Sequence, residues 1–281
     1  MEFFRPTPAL FPELYQDAAD TLKEIFNQKI PDSIKLIELI SKFNQDERVE
    51  IASIYGSELL FEQSKKAFKS DFENLILALF TPRYQVFANL LNTLFKRPST
   101  LLTTLAFCIS TPDAECLLKV QNFASLYEQN FGKLGPAFLT RKEDCSSDIL
   151  TIRQELDKSS FESTLIHVLS NLHFSFYQQF ILQNPDINEK IKCDISKNYE
   201  AYISASDAKN DMFRQVAKCV KLTVKGLGTK DDELIGLTAI FGDRMRNQII
   251  KKSYDGDIVK ELKSDLSGDY ERCILAVWGL K

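Results

Sequence analysis

Four helix starts of similar character recur along this 281-residue chain, at intervals of 67, 62 and 69 residues. A period well above the roughly 20–50 residues of open solenoids predicts units that are large enough to bury much of their own core, with about five helices in each. The length of the chain fits four such units. The starts lie near Pro31, Pro98, Ser160 and Thr229.

Glycine and proline interrupt the chain mostly at the predicted helix boundaries. Between the ten glycines and nine prolines, apolar residues recur at helical spacing, and alternating strand patterns are almost absent. In the first repeat, for example, Ile34, Ile37 and Ile40 share one face of a helix. The predicted fold class is therefore all-α.

The composition excludes several classes of function. A net charge of −4, without a basic stripe between aromatic residues, predicts no nucleic-acid partner. No apolar run approaches the ~18 residues of a membrane span, and the opening residues, with an acid and two prolines, do not fit a signal peptide. Six cysteines without paired spacing predict reduced thiols in the cytosol.

The sequence contains no recognisable catalytic motif. It has no nucleophile elbow, no zinc-protease motif and no cysteine with a nearby histidine partner, so we expect no enzyme activity. The two histidines, His167 and His173, would face different sides of a helix that continues past Asn171. They therefore predict no metal pair.

A glycine-containing loop and a distant acid indicate a calcium site. In the loop Lys225–Thr229, Gly226 and Gly228 are free to adopt positive φ, so that several carbonyl oxygens can point at one place. Calcium binds about six to eight oxygen ligands, and Asp265 would supply a carboxylate. In an arbitrary chain such a loop is more often a plain helix connector. It also lacks the spacing of a phosphate-binding loop.

Three segments carry a family resemblance: KGLGTKDDELI at 225–235, RNQII at 246–250 and LKSDLSGDY at 262–270. Together they make the stretch 207–279 similar to the last repeat of an annexin. The closing segment, 269–278, resembles the α-giardin branch of divergent annexins. The resemblance implies that four repeats form a curved disc.

The resemblance also implies which atoms bind calcium in this chain. They are the carbonyl oxygens of Val224, Gly226 and Gly228 and the carboxylate of Asp265, and a lipid phosphate oxygen would complete the shell. The resemblance divides the chain into a head segment and four repeats, with boundaries at 1–14, 15–95, 96–157, 158–225 and 226–281.

Local features of the last repeat and of the head segment lead to further expectations. Thr229 is predicted to cap a helix, with Asp232 completing a capping box. The segment Tyr254–Asp257 is predicted to connect the second and third helices after the glycine loop, and it is shorter than the family's usual loop at this place. The head segment contains closely spaced phenylalanines and is expected either to pack against the repeats or to dock a partner.

The first three inter-helix loops, at 28–31, 96–99 and 157–160, contain no glycine. They predict that the loop at Gly228 forms the one calcium site of this kind. All four loops carry basic residues, which are candidates for membrane contact, although exposed lysines are ordinarily just solvated charges. These residues are Lys29, Lys96, Arg97, Lys158, Lys225 and Lys230.

The leading prediction is a non-enzymatic protein that binds acidic phospholipids, such as phosphatidylserine, when calcium is present. The giardin resemblance also implies a cytoskeletal partner. Such a protein would be cytoplasmic and peripheral, on the inner face of the plasma membrane, on the cytoskeleton, or on both. The alternative is a helical scaffold for protein contacts whose calcium sites have decayed, in which Asp265 is a surface acid or a helix cap.

Overall fold

The computed structural model describes residues 12–97, 99–141, 161–195, 197–225 and 228–280. In these residues the chain forms nineteen helices joined by turns, with no β-strand, which confirms the all-α prediction. The helices are α1 (Pro12–Phe26), α2 (Ser33–Lys42), α3 (Gln45–Tyr55), α4 (Ser57–Ala67), α5 (Ser70–Leu79), α6 (Arg83–Phe95), α7 (Thr100–Ala106), α8 (Thr111–Leu117), α9 (Phe123–Phe131), α10 (Leu134–Leu139), α11 (Phe161–Asn171), α12 (Phe174–Gln183), α13 (Ile187–Asp194), α14 (Tyr199–Asn210), α15 (Met212–Val224), α16 (Asp231–Phe241), α17 (Gln248–Ser253), α18 (Ile258–Asp265) and α19 (Gly268–Val277).

The helices fall into two compact units. Within the described residues, one unit comprises 12–90 together with 217–280, and the other comprises 91–216. We call them the discontinuous unit and the central unit. Along the part of the chain that the structure describes, no helix combines the length and the apolar character needed to cross a membrane.

Five helices at the start of the described chain match five helices at its end. We call α1–α5 the first set and α15–α19 the last set. In the first set, α1 ends at residue 26, α2 begins at residue 33, α4 ends at residue 67, and α5 begins at residue 70 and ends at residue 79. In the last set, α15 ends at residue 224, α16 begins at residue 231, α18 ends at residue 265, and α19 begins at residue 268 and ends at residue 277. Each of these positions lies 198 residues after its counterpart in the first set. A constant offset of 198 residues therefore relates these positions of the two sets.

Two equivalent arginines hold equivalent helix ends in the discontinuous unit. In the first set, buried Arg48 donates to the carbonyl of Leu79 at 3.2 Å and to that of Phe43 at 2.8 Å. In the last set, Arg246 lies 198 positions later and donates to the carbonyl of Val277 at 3.2 Å. Each arginine thus satisfies a carbonyl at the C-terminal end of the fifth helix in its set.

A buried ion pair joins the two chain segments of the discontinuous unit. Arg83 donates two hydrogen bonds to the carboxylate of Asp243, at 3.1 and 2.9 Å, and both side chains are 4% exposed. The backbone amide of Gln45 donates to the same carboxylate at 2.7 Å. Burial by itself would raise the pKa of Asp243, but the charge and hydrogen bonds of Arg83, together with Arg48 and the Gln45 amide, outweigh burial and lower this pKa to about 2. The carboxylate is therefore ionised.

Aromatic side chains fill the middle of the central unit. The ring of Tyr127 lies 5.2 Å from that of Phe123 and 5.3 Å from that of Phe131. The Tyr127 hydroxyl donates to the carbonyl of Ala106 at 3.0 Å, and burial raises the pKa of this hydroxyl. The phenylalanines of this region therefore serve interhelical packing, and the one polar group among them is satisfied.

Of two local predictions for the last set, one is wrong and one is confirmed. The N-cap of α16 is Lys230 rather than Thr229, because the Lys230 amide bonds back to the carbonyl of Thr223 and lengthens the loop by one residue. The segment Tyr254–Asp257 connects α17 and α18, which are the second and third helices after the glycine loop, as predicted.

Two further predictions concern the histidines and the head segment. α11 ends at Asn171, and His173 caps α12 by accepting a hydrogen bond from the amide of Ser175, so His167 and His173 do not share a helix. Residues 1–11 of the predicted head segment lie outside the described residues, and residues 12–14 form the first turn of α1.

Candidate calcium and membrane site

The connection between α15 and α16 carries the predicted carbonyl ligands. It is six residues long. The amide of Lys230, at its end, donates to the carbonyl of Thr223, next to its start, at 2.9 Å. Val224 is the last residue of α15 and is buried. Gly228 has a φ of +81°, and a side chain there would meet nothing within 4 Å. Gly226 lies outside the described residues.

Asp265 is the last residue of α18, and its side chain is exposed. Asp257 caps the start of this helix with its side chain, and Ile258 and Leu262 are buried on its inner face. The chain leaves α18 through buried Leu266. Apolar packing therefore fixes the helix on one side, while the carboxylate at its end remains accessible to a cation.

Contacts between aromatic rings bring two inter-helix connections together in other parts of the chain. In the first set, the ring of Phe26 at the end of α1 lies 6.1 Å from that of Phe68, directly after α4. In the central unit, the ring of Phe95 at the end of α6 lies 6.1 Å from that of Phe131 at the end of α9. In the first place the connections after α1 and α4 therefore begin side by side, and in the second place those after α6 and α9 do.

The last set has apolar residues at the equivalent positions. The offset of 198 residues places Val224 and Leu266 where the first set has Phe26 and Phe68. Both side chains are 7% exposed. We call residues 27–32 with 67–69 the first junction, and residues 225–230 with 265–267 the last junction.

A cluster around Tyr254 connects α15 with the start of α18. Lys221, in the last turn of α15, donates to the carboxylate of Asp255 at 2.9 Å and lies 5.6 Å above the ring of Tyr254. The Tyr254 hydroxyl donates to Glu261 at 2.6 Å. The pKa of Tyr254 is raised by burial first, and then by Glu261, Asp255 and Asp265. Asp265 therefore lies within electrostatic reach of a residue that contacts α15.

The two junctions lie at the same end of the discontinuous unit. α5 begins at the first junction and packs against α16 and α19, which begin at the last junction. The pKa of Asp231, in the first turn of α16, is raised by burial and then by Asp71, in the first turn of α5. The pKa of Tyr270, in the first turn of α19, is raised by burial and then by Asp231 and Asp71. The first turns of these three helices thus converge.

The predicted basic residues that the structure describes are all exposed. Lys29 lies in the first junction, and Lys225 and Lys230 lie in the last junction. Lys96 and Arg97 directly follow α6 in the central unit. Lys158 lies outside the described residues.

Sequence reasoning overlooked further exposed residues at the first junction. Ile30 is 81% exposed, and Ile34 in the first turn of α2 is 55% exposed. Three more lysines in or next to the junction are also exposed. The sequence contains a sign of this difference, because at the 198-residue offset an apolar residue, Ile30, stands at the position of Gly228. The lysines are Lys65, Lys66 and Lys69.

No protein-family model matches the chain. Annexin A4 of Mus musculus is 24% identical across an alignment of 311 positions, which spans 93% of this chain and 93% of the relative. Annexin A11 of Oryctolagus cuniculus is 36% identical over 64 residues, which cover 22% of this chain and 13% of the relative.

Solved structures share the fold over nearly the whole chain. Annexin III superposes with a TM-score of 0.76 at 18% identity, over 98% of this chain and 96% of its own. Calcium-bound alpha-1 giardin superposes with a TM-score of 0.72 at 19% identity, over 96% of this chain and 100% of its own. With the helical repeats and the similarity to annexin A4, these matches make the chain a divergent annexin- and giardin-like protein.

Proposed function

We propose that this protein binds acidic phospholipid membranes when calcium is present, through the last junction, and that it is not an enzyme. The proposed ligands are the carbonyl oxygens of Val224, Gly226 and Gly228 and the carboxylate of Asp265. The observation that supports this set is the side-by-side start of the two connections in the first set, at Phe26 and Phe68. The constant offset extends that arrangement to Val224 and to the residue that follows Asp265.

The chemistry of these donors fits calcium. Calcium is a hard cation that binds carboxylate and backbone carbonyl oxygens, and when bound it can bridge the protein to a lipid phosphate. Among the described residues, no three histidine, cysteine, aspartate or glutamate side chains are grouped to hold a metal ion, so backbone carbonyls must supply most of the ligands. With one carboxylate, we expect an affinity of about 10⁻⁴ M or weaker without lipid. Lipid and calcium would then each raise the affinity for the other.

The basic residues that the sequence predicts at the four loops are further proposed membrane contacts. Each would contribute roughly 1 kcal/mol next to an anionic leaflet, with a range of about one Debye length. We assign the protein to the inner face of the plasma membrane on this basis, and we extend the proposal to a cytoskeletal partner, which co-sedimentation with purified filaments tests. The residues are Lys29, Lys96, Arg97, Lys158, Lys225 and Lys230.

Vesicle sedimentation tests the calcium site. The full chain should pellet with phosphatidylserine-containing vesicles in millimolar calcium, and Asp265→Ala should raise the calcium concentration for half-maximal pelleting by about tenfold or more, because the one carboxylate ligand is lost. Asp194→Ala is the matched control, since Asp194 is also an exposed aspartate at the last residue of a helix.

The outcome also separates the proposal from the scaffold alternative. If the wild type and Asp265→Ala respond equally to calcium, the last junction binds no calcium. A protein-interaction scaffold with decayed sites then becomes the better explanation, with Asp265 as a surface acid.

A further inference from the structure

The first junction combines a protruding apolar side chain with positive charge. Ile30 is 81% exposed at the connection between α1 and α2, and Ile34 follows it in the first turn of α2 with 55% exposure. A nearly fully exposed isoleucine gains no stability from the fold, because its apolar area stays in water. Pro31 follows it directly and fixes φ, which limits the freedom of the chain beside the protruding side chain.

Four lysines accompany these isoleucines. Lys29 precedes Ile30, and the other three flank the end of α4, which the Phe26–Phe68 ring contact brings next to the same connection. We call the four the lysine group. Its members are Lys29, Lys65, Lys66 and Lys69.

Three acids near the lysine group offset part of its charge. Asp32 accepts a hydrogen bond from the amide of Lys35 at 3.0 Å as the cap of α2. Glu24 pairs with the Lys35 ammonium at 3.1 Å. Glu62 lies 3.9 Å from Lys66, and both side chains are more than two-thirds exposed, so this pair is weak. With Lys35, five lysines stand against these three acids, so the junction and its flanks carry a net charge of +2.

We propose that the first junction binds anionic lipid bilayers without calcium, with Ile30 entering the interfacial layer and the lysine group facing lipid phosphates. This inference deepens the proposed function and rests on it, because it gives a second lipid contact to the end of the unit that carries the last junction. The position that supplies a carboxylate in the last junction is Ala67 here, so calcium has no side-chain ligand at this place.

An apolar tip surrounded by lysines matches the layered chemistry of a bilayer surface. Lipid phosphates attract basic residues at the surface, and the acyl boundary just beneath them accepts an apolar side chain. A protein partner would need an apolar pocket surrounded by acids at the same spacing. Half-buried Asp71, at the start of α5, raises the pKa of Asp231 at the start of α16, so its carboxylate lies toward the last junction and reduces the charge of the lysine group only in part.

Flotation of the full chain with vesicles in excess chelator tests the proposal. The vesicles contain phosphatidylcholine alone or phosphatidylcholine and phosphatidylserine in equal parts. We expect the wild type to float only with the second kind. Ile30→Ser should lower the partition coefficient by about tenfold, because about half of the transfer energy of an isoleucine is lost. Lys65→Gln with Lys66→Gln should lower it by about fivefold for each lysine.

Matched variants separate this contact from non-specific stickiness and from unfolding. Leu182→Ser removes a leucine that is 80% exposed in the central unit, and Lys251→Gln with Lys252→Gln removes two exposed lysines of α17. We expect both to float as the wild type does. Because Ile30 is exposed, Ile30→Ser should leave thermal unfolding unchanged.

Insertion can also be observed directly at residue 30. The chain has one tryptophan, Trp278, which is fully buried, so its emission should not respond to vesicles. In Ile30→Trp, the additional emission should shift to the blue with phosphatidylserine-containing vesicles in chelator. It should also be quenched by lipids brominated near the headgroup.

Several results would overturn the inference while leaving the calcium site intact. They are absence of wild-type flotation in chelator, equal flotation of Ile30→Ser, and absence of an emission shift. A change in oligomeric state of Ile30→Ser, measured by light scattering, would instead assign the isoleucine to a contact between copies of the chain. Asp265→Ala should keep its chelator-resistant flotation. If that variant also keeps its full calcium response, the proposed function fails and this inference stands alone.

Discussion

The first and last junctions have connections of equal length and helices in equal register, yet they differ where a calcium site would be built. Gln28, Ile30 and Ala67 stand at the positions of Gly226, Gly228 and Asp265. No insertion or deletion separates the two junctions, so their difference lies in the residues and in the backbone conformation that these residues allow. Gly228 has a φ of +81°, whereas the equivalent Ile30 does not have a positive φ. Connections of equal length between equivalent helices can thus differ in backbone conformation and in exposed side chains, while the helix ends that flank them keep the same spacing.

The equivalent arginines provide the test with the largest expected effect. Arg48→Ala removes hydrogen bonds to several buried carbonyls, including those of Leu79 and Phe43, and should cost about 3 kcal/mol of unfolding free energy. Arg246→Ala, at a partly buried position, should cost about 1 kcal/mol. Urea denaturation measures both. Equal losses would show that the two sets rely on their arginines to the same extent.

The ion pair of Asp243 has no counterpart in the first set, where the equivalent residue is Gln45. Asp243→Asn should lower the unfolding free energy by about 2 kcal/mol, because Arg83 then lacks its buried partner. The pKa of Asp243 is lowered in the folded state, so its stabilisation is complete above the unfolded value of about 4. It is lost as the pH falls from there toward the folded value of about 2.

Denaturation at a series of acidic pH values measures this loss. The wild type should lose more stability than Asp243→Asn between about pH 4 and pH 2. Parallel pH profiles for the two proteins would contradict the ion-pair explanation.

Introducing the three differing residues of the last junction into the first junction tests whether these residues account for the difference in calcium binding that we propose. Gln28→Gly, Ile30→Gly and Ala67→Asp, introduced together into Asp265→Ala, should lower the calcium concentration for half-maximal vesicle pelleting by about tenfold relative to Asp265→Ala alone. The two glycine substitutions in Asp265→Ala, without Ala67→Asp, are the control, since they supply loop freedom but no carboxylate. If both variants pellet alike, backbone differences between the junctions matter more than the residues do.

The smallest expected effect concerns one backbone conformation that the two sets share. Ser70 has a φ of +60°, and the equivalent Gly268 has a φ of +67°. The left-handed region strains any residue with a side chain, so Ser70→Gly should stabilise the protein by about 1 kcal/mol. Gly268→Ala should destabilise it by about the same amount, because a side chain there meets no atom within 4 Å and only the backbone strain counts. Thermal unfolding measures both, and a loss of stability in Ser70→Gly would contradict this explanation.

The sequence predicted the long helices because they bury one continuous apolar face. The period of helix starts and the segments of the last repeat were readable for the same reason. Short helices such as α8, α10 and α17, of six or seven residues, contain too few turns for a period to be visible. The cap of α16 was misplaced because the bond between Lys230 and Thr223 joins residues on both sides of the loop.

The candidate site was predictable only in part. The glycine loop and Asp265 are local signals, and the exposed position of Asp265 at a helix end agrees with them. The apposition of Asp71 and Asp231 joins residues 160 positions apart, which no local pattern indicates. Ile30 reads as an ordinary apolar residue until its exposure is known.

The discontinuous unit also has a consequence for biosynthesis. Its first segment ends at residue 90 and its second begins at residue 217, so 126 residues are translated between them. Helices α2 and α5 pack against α19 and α16, which emerge from the ribosome on the order of ten seconds later. During that interval the apolar faces of the nascent helices lack their final partners, and a ribosome-bound chaperone has time to engage them.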